Sequence, residues 1–204
     1  LLLDGMGKCI LDGNLEPDGF FASHLAGTYS AVFPPTTVAA TTSICSGLYP
    51  VEHCWLGWDC YYPKIDKTVT VFLNREAGTT KPAADYPVAK TLCPYQSLVE
   101  QIRENSGQAY SLIPFEEPYP GTFEEISDWI EKLTKRPGKK YIYAYWPEPD
   151  GCMHEKGCYS PEAKETLRQL EKQVQELTEK LSNTLVIVTA DHGHMDSRGV
   201  AIED

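Results

Sequence analysis

Leu185-Val186-Ile187-Val188-Thr189-Ala190-Asp191-His192-Gly193 runs from six apolar or β-branched residues straight into a carboxylate, an imidazole and a glycine. Consecutive apolar side chains, without alternation, are the pattern of a strand covered on both faces, as in parallel sheets. Residues just past such a strand lie at its carboxyl end, where the loops of an open α/β sheet converge and ligands bind. Two further runs end the same way. Tyr141-Ile142-Tyr143-Ala144-Tyr145-Trp146 is succeeded by Asp150 and His154, and Leu1-Leu2-Leu3 by Asp4, Gly5 and Gly7. Carboxylate oxygens together with imidazole nitrogens suit zinc and its neighbours in the transition series. The pattern predicts a metal-dependent hydrolytic site on the carboxyl edge of a parallel sheet.

Between those strands the period changes from continuous to helical. Ser160 is placed to cap a helix, Pro161 suits its first turn, and Leu167, Leu170, Val174, Leu177 and Leu181 form one apolar stripe. Thr122 opens a second helix, with Phe123, Ile126, Trp129, Ile130 and Leu133 inward and Pro137-Gly138 as its stop. A third helix is expected over residues 97–105 and another strand over 109–114. Strands alternating with helices imply right-handed crossovers, hence an α/β fold with a mainly parallel central sheet and helices on both faces. A chain of 204 residues suits a single domain. Residues 54–91, rich in aromatic, proline, glycine and threonine residues without a clear period, read as a loop-rich excursion or lid over the sheet edge.

A net charge of -11 argues against nucleic acid as a partner, since a phosphate backbone demands a basic surface. No run reaches the length of a membrane span, so no membrane partner is expected. Seven cysteines, an odd number without framework spacing, favour a reducing, cytoplasmic setting and inert thiols. A thiolate zinc knot built on Cys152, His154 and Cys158 is the competing reading, although the paired C-x-x-C knuckle is missing. Charged residues along the 160–181 helix form an ordinary solvated face.

Phe33-Pro34-Pro35-Thr36-Thr37-Val38 leads into a further short helix ending at Gly47, with Thr37 placed as its cap. A hydroxyl there lies beside free backbone N–H groups at a positive helix end, a good seat for phosphate. Coordination to a divalent ion would activate that hydroxyl as a nucleophile near neutral pH. Thr36 is the alternative if the register shifts by one.

The ordered set Asp4-Gly5-Met6-Gly7, Phe33-Pro34-x-x-Thr37, Gly47-Leu48-Tyr49-Pro50-x-x-His53, Pro149-Asp150-x-x-x-His154 and Thr189-Ala190-Asp191-His192-Gly193 resembles the alkaline phosphatase superfamily. Within it, the type I phosphodiesterase/nucleotide pyrophosphatase family is the nearest match. The resemblance spans nearly the whole chain, and several motifs in order are more specific than any one. It implies two divalent ions, zinc by family habit, with manganese or magnesium left open by oxygen-rich ligation. Asp191, His192 and Asp4 would hold one ion with the nucleophile Thr37 against it; Asp150 and His154 would hold the other. The implied reaction is cleavage of a phosphodiester or pyrophosphate bond in a small-molecule phosphate ester through phosphothreonine. A phosphomonoesterase, a phosphonate hydrolase and a degenerate metal-stabilised binding module are the alternatives.

Two departures qualify the resemblance. The family's last ligand of the second ion comes from further downstream, so either the chain is a fragment lacking its C-terminal part or His194 serves instead. Trp58 falls where the family carries a phosphate-supporting asparagine, making it a candidate for the substrate pocket.

Overall fold

The structure, a computed structural model, describes residues 1–113 and 119–197. Its elements in order are β1 (Leu2–Leu3), α1 (Lys8–Asn14), α2 (Phe20–Ser23), α3 (Thr37–Ser46), α4 (Pro50–His53), β2 (Asp59–Tyr62), β3 (Lys67–Thr70) and β4 (Arg75–Glu76). Next come α5 (Val88–Leu92), α6 (Leu98–Glu104), β5 (Gln108–Leu112), α7 (Phe123–Thr134), β6 (Lys140–Trp146), α8 (Asp150–Lys156) and α9 (Pro161–Lys180). Of the strand expected over 109–114, Pro114 lies outside the described residues.

The main sheet has the order β1-β6-β5, and both pairings are parallel. Its two faces follow from the alternation of side chains along a strand. Leu2, Tyr143 and Tyr145 point one way and meet Ile44 and Cys45 of α3. Leu3 points the other way, onto Ile10 of α1 and Leu167 and Leu170 of α9. Leu112 and Ala144 share that second side with Ile126 and Ile130 of α7 and Leu177 of α9. Helices therefore cover both faces, as the strand–helix alternation predicts.

The helix ends follow their sequence signals. Ser160 Oγ accepts the Ala163 N–H at 3.1 Å to start α9, whose Ala163, Leu167, Leu170, Val174 and Leu177 are buried. Thr122 and Glu125 close a capping box at the head of α7. Burying each large apolar side chain of these stripes contributes about 1.5–3 kcal/mol, so the two helices anchor the sheet's second face.

Residues 184–190 depart from expectation. They lie parallel to β1, through Leu3 N–H to Thr189 O at 2.9 Å and Thr189 N–H to Leu1 O at 3.0 Å, with a single bridge rather than a full strand. Val188 and Ala190 pack on the α1/α9 core, but Leu185 and Ile187 are 84% and 64% exposed. The stretch is covered on one face only, because it sits at the sheet margin and none of the buried clusters of described residues reaches its other side.

Residues 54–91 carry the antiparallel sheet β2-β3-β4 and the start of α5. Trp55, Tyr62, Val69, Val71 and Val88 form their own cluster, joined to α3 through Val38. All seven cysteines are unbridged.

Candidate metal centre

Three chain segments leave the parallel sheet at the same edge. The Asp4 N–H donates to Trp146 O at 3.0 Å, and the Asp150 N–H donates to Asp4 O at 3.2 Å, so the ends of β1 and β6 are tied backbone to backbone. Residues 184–190 bring Asp191 and His192 to the other side of Asp4. The amino end of α3 adds Thr37.

Asp4, Asp191 and His192 converge with ligand atoms within 4.8 Å of one another. His192 Nε2 stands 3.3 Å from Asp4 Oδ1 and 3.6 Å from Asp191 Oδ2. Asp191 is fixed by N–H groups of Gly5 and His192, which donate to its Oδ1 at 3.1 and 2.9 Å. Thr37 Oγ1 lies 3.0 Å from His192 Nε2 and 3.5 Å from Asp4 Oδ1. Asp150, His154 and His194 make a second group of the same span. There His154 Nε2 is 3.4 Å from Asp150 Oδ2, and His194 Nε2 is 3.6 Å from Asp150 Oδ1.

Gly5 is the wedge between the groups. Its φ of +69° is left-handed, and a Cβ there would stand 2.9 Å from Asp150 Oδ1. Gly7 serves a similar purpose: its Cα runs so close to Gly193 that a Cβ would lie 2.6 Å from the Gly193 Cα. Side chains at either position would push the carboxylate loops apart.

The electrostatics suit a cation in each group. Asp150 Oδ1 and Asp191 Oδ2 are buried and have no hydrogen-bond partner, one orphaned oxygen per cluster. Such oxygens are costly unless a proton or a metal satisfies them. Burial, then the neighbouring Asp191 charge, raises Asp4 well above the carboxylate range, and burial raises Asp191 too. Burial lowers the His194 pKa, the direction that favours the neutral imidazole a metal ligand must be. A divalent ion would supply the charge that lets both carboxylates ionise. The donor set, carboxylate plus imidazole, fits that role.

Thr36, not Thr37, caps α3: Thr36 Oγ1 accepts the Ala39 N–H at 3.4 Å, and Thr37 is the first helical residue. The expected cap is thus one position too late. Adjacent threonines carry the same capping chemistry, so sequence alone does not choose between them; the extended Thr36 backbone does, at φ -120° and ψ 153°. The correction leaves the Thr37 hydroxyl free to face the metal-type cluster.

Trp58 belongs to neither cluster. It is 47% exposed and meets Phe72 edge-on with ring centroids 6.2 Å apart. A cavity of about 220 Å³ behind α3 is instead walled by Thr41, Thr42, Trp55, Phe72, Tyr143 and Tyr145 among others. His53 packs within its turn as a structural residue, accepting the Trp55 N–H at Nδ1 at 3.0 Å. No cysteine joins a metal-type group among the described residues.

Sequence reasoning missed Tyr145. It is buried, and its hydroxyl donates to Asp4 Oδ2. The signal was present in the period of the strand, since Tyr143 and Tyr145 share the α3 face. Cys158, raised in the sequence only as part of a thiolate knot, instead meets His194: its Sγ lies 3.2 Å from His194 Nδ1, and burial pushes the thiol up to about 11.

Comparison with known proteins bears on the family and the fold. The family model described as type I phosphodiesterase / nucleotide pyrophosphatase matches residues 2–204. A murine ectonucleotide pyrophosphatase / phosphodiesterase 5, solved as an inactive threonine-to-alanine variant in complex with AMP, superposes with a TM-score of 0.70 at 17% identity, covering 94% of this chain and 55% of that one. A second structure of the same murine protein superposes equally, covering 94% of this chain and 56% of its own. The chain thus spans just over half the length of these structures, and at this identity the likeness shows a shared fold. No curated protein sequence matches it. The match over nearly every residue, with the α/β fold and the ordered motifs on one sheet edge, places the chain in the type I phosphodiesterase / nucleotide pyrophosphatase family.

Proposed function

We propose that the protein is a metal-dependent phosphoric ester hydrolase that cleaves phosphodiester or pyrophosphate bonds in small molecules, with Thr37 as nucleophile. The observation carrying this reading is the position of Thr37 Oγ1, at the head of α3 and 3.0 Å from His192 Nε2, beside a second carboxylate–imidazole group. Asp4, Asp191 and His192 would hold one cation, and Asp150, His154 and His194 the other. Bound there, zinc or a similar divalent ion would lower the hydroxyl pKa, neutralise the phosphoryl oxygens and clamp the attacking and leaving oxygens.

The chain's own groups supply the positioning. N–H groups at the amino end of α3 would help receive the incoming phosphoryl group. Thr37 Oγ1 bonds to phosphorus as the ester oxygen departs on the far side, giving a phosphothreonine that carries the retained group. Water then breaks the Thr37 Oγ1–P bond and restores the hydroxyl. In the murine neighbour the inactive form is likewise a threonine-to-alanine variant, consistent with this assignment.

Acid-quenched turnover of a chromogenic diester by the zinc-loaded chain, followed by mass spectrometry, tests the nucleophile. The label belongs on Thr37, and Thr37→Ala should lose on the order of 10³-fold in turnover or more. Thr36→Ala should keep turnover while losing about 1 kcal/mol of stability as a missing helix cap. Label on Thr36, or full activity without the Thr37 hydroxyl, contradicts the proposal. Trp58, in place of the expected asparagine, favours a second reading as an ion-binding module without turnover. That reading gains if both ions bind and neither diesters nor monoesters are cleaved, whereas cleavage of monoesters alone points to a phosphomonoesterase.

A further inference from the structure

The two oxygens of Asp4 face different partners. Tyr145 Oη hydrogen-bonds Oδ2, while Oδ1 looks into the first cluster, 3.3 Å from His192 Nε2 and 3.5 Å from Thr37 Oγ1. This division holds whichever oxygen of the Tyr145–Asp4 pair carries the proton. Tyr145 is 7% exposed and packs with Leu2 and Tyr143 on the α3 face of the sheet. Its backbone is pinned as well, in register with Leu2 of β1 and with Tyr119 Oη donating to its carbonyl at 2.8 Å. These contacts hold the phenol against the carboxylate.

Asp191 is divided in the same way. Its Oδ1 accepts two N–H groups, and its Oδ2 is left without a partner. A carboxylate can bind a cation through one oxygen or both, and each of these two has one to offer. The first cluster thus presents four donor atoms: Asp4 Oδ1, Asp191 Oδ2, His192 Nε2 and Thr37 Oγ1. Bonds of about 2.0–2.1 Å put the corners of a zinc tetrahedron about 3.3–3.4 Å apart. Bonds of that length put adjacent corners of a magnesium octahedron only about 2.8–3.0 Å apart. Separations in the cluster are 3.0, 3.3, 3.5 and 3.6 Å, and the last three lie beyond the octahedral edge. The side chains of Asp4, Asp191 and His192 are at most 9% exposed, which leaves little access for the waters that six-fold coordination needs.

The second cluster has no such clamp. Asp150 Oδ1 lacks a hydrogen-bond partner, and Oδ2 meets His154, whose side chain is 68% exposed. Both oxygens of Asp150, together with water, are open to an ion that takes more than four ligands.

We infer that Tyr145 is a positioning residue that confines Asp4 to one ligand oxygen, making the first cluster selective for a four-coordinate ion such as zinc over six-coordinate manganese or magnesium. The second cluster lacks this selectivity. The inference rests on the two-ion reading above and deepens it.

Cobalt(II) absorbs strongly in tetrahedral sites and weakly in five- or six-coordinate ones, so its visible spectrum reads the first cluster once Asp150→Ala has removed a ligand of the second. That chain should show the intense band. Adding Tyr145→Phe should weaken it, because Asp4 Oδ2 becomes free to bind the ion too. The preference for zinc over manganese, from competitive titration of the same proteins, should fall about 10- to 100-fold. In an Asp191→Ala chain, which reads the second cluster, Tyr145→Phe should change neither spectrum nor preference. A structural role alone would weaken both metals alike; that result, or an intense band and metal preference that survive Tyr145→Phe, overturns the inference. An Asp150→Ala chain that takes up no cobalt overturns the first-cluster reading itself, and the inference with it.

Discussion

Replacing Gly5 by alanine loads two separable costs onto one methyl group. The φ of +69° puts any L-residue in the left-handed region, a penalty of about 1–2 kcal/mol. The added Cβ would also meet Asp150 Oδ1 at 2.9 Å, Asp150 Cβ at 3.0 Å and Met153 Cε at 3.1 Å. Asp150 Cβ is anchored to the backbone of α8 and cannot rotate away, so an overpacking cost of about 1–3 kcal/mol is added. The total is about 2–5 kcal/mol. Gly78 is the matched control, with φ +71° and open space where a Cβ would go, so Gly78→Ala should cost the backbone penalty alone. Urea unfolding of both metal-free variants measures the difference, expected at about 1–3 kcal/mol against Gly5→Ala. Gly5→Ala should also weaken both ions, because the Gly5 N–H holds Asp191 while the added Cβ would press on Asp150. Equal destabilisation in the two variants, with ion binding intact, would refute the wedge.

Tyr145→Phe removes the hydroxyl that donates to Asp4 Oδ2; calorimetry should show about 1–3 kcal/mol less stability and weaker binding of the first ion, and unaltered zinc affinity would count against the role. For pH dependence, Asp4 has its folded-state pKa raised by burial and then by Asp191. The folded chain therefore binds this proton more tightly than the unfolded one, and its contribution falls as pH climbs above the unfolded value of about 3.9. Metal-free Asp4→Asn should accordingly be more stable than the parent at about pH 8, with the gap narrowing toward acid; a gap that widens toward acid reverses the sign and rejects the assignment.

Much of the fold was written in side-chain period. The stripe Leu167, Leu170, Val174 and Leu177 and the caps Ser160 and Thr122 specify helices by local rules, and those rules suffice where a buried face is long. Residues 184–190 misled because continuous apolarity marks a strand without saying how much of it is covered; exposure of Leu185 and Ile187 depends on neighbours in space. The antiparallel strands within 54–91 escaped notice because β2 to β4 span only two to four residues each, too short for alternation to stand out. At the site, the carboxylates and imidazoles were legible because each comes soon after an apolar, strand-like run. The contacts of Tyr145 with Asp4 and of Cys158 with His194 were not, since the partners lie 141 and 36 residues apart in sequence. The Thr36/Thr37 register turned on a backbone angle that two adjacent threonines cannot encode.

Two ion sites built from separate residues underlie every chemical step proposed for this chain. Calorimetric zinc titration of the metal-free protein, beside Asp191→Ala and Asp150→Ala, addresses them most directly. Two ions should bind the parent, Asp191→Ala should lose the one beside Thr37, and Asp150→Ala should lose the other while retaining the first. A parent that takes up no zinc, or variants that both bind as the parent does, would contradict the two-site centre.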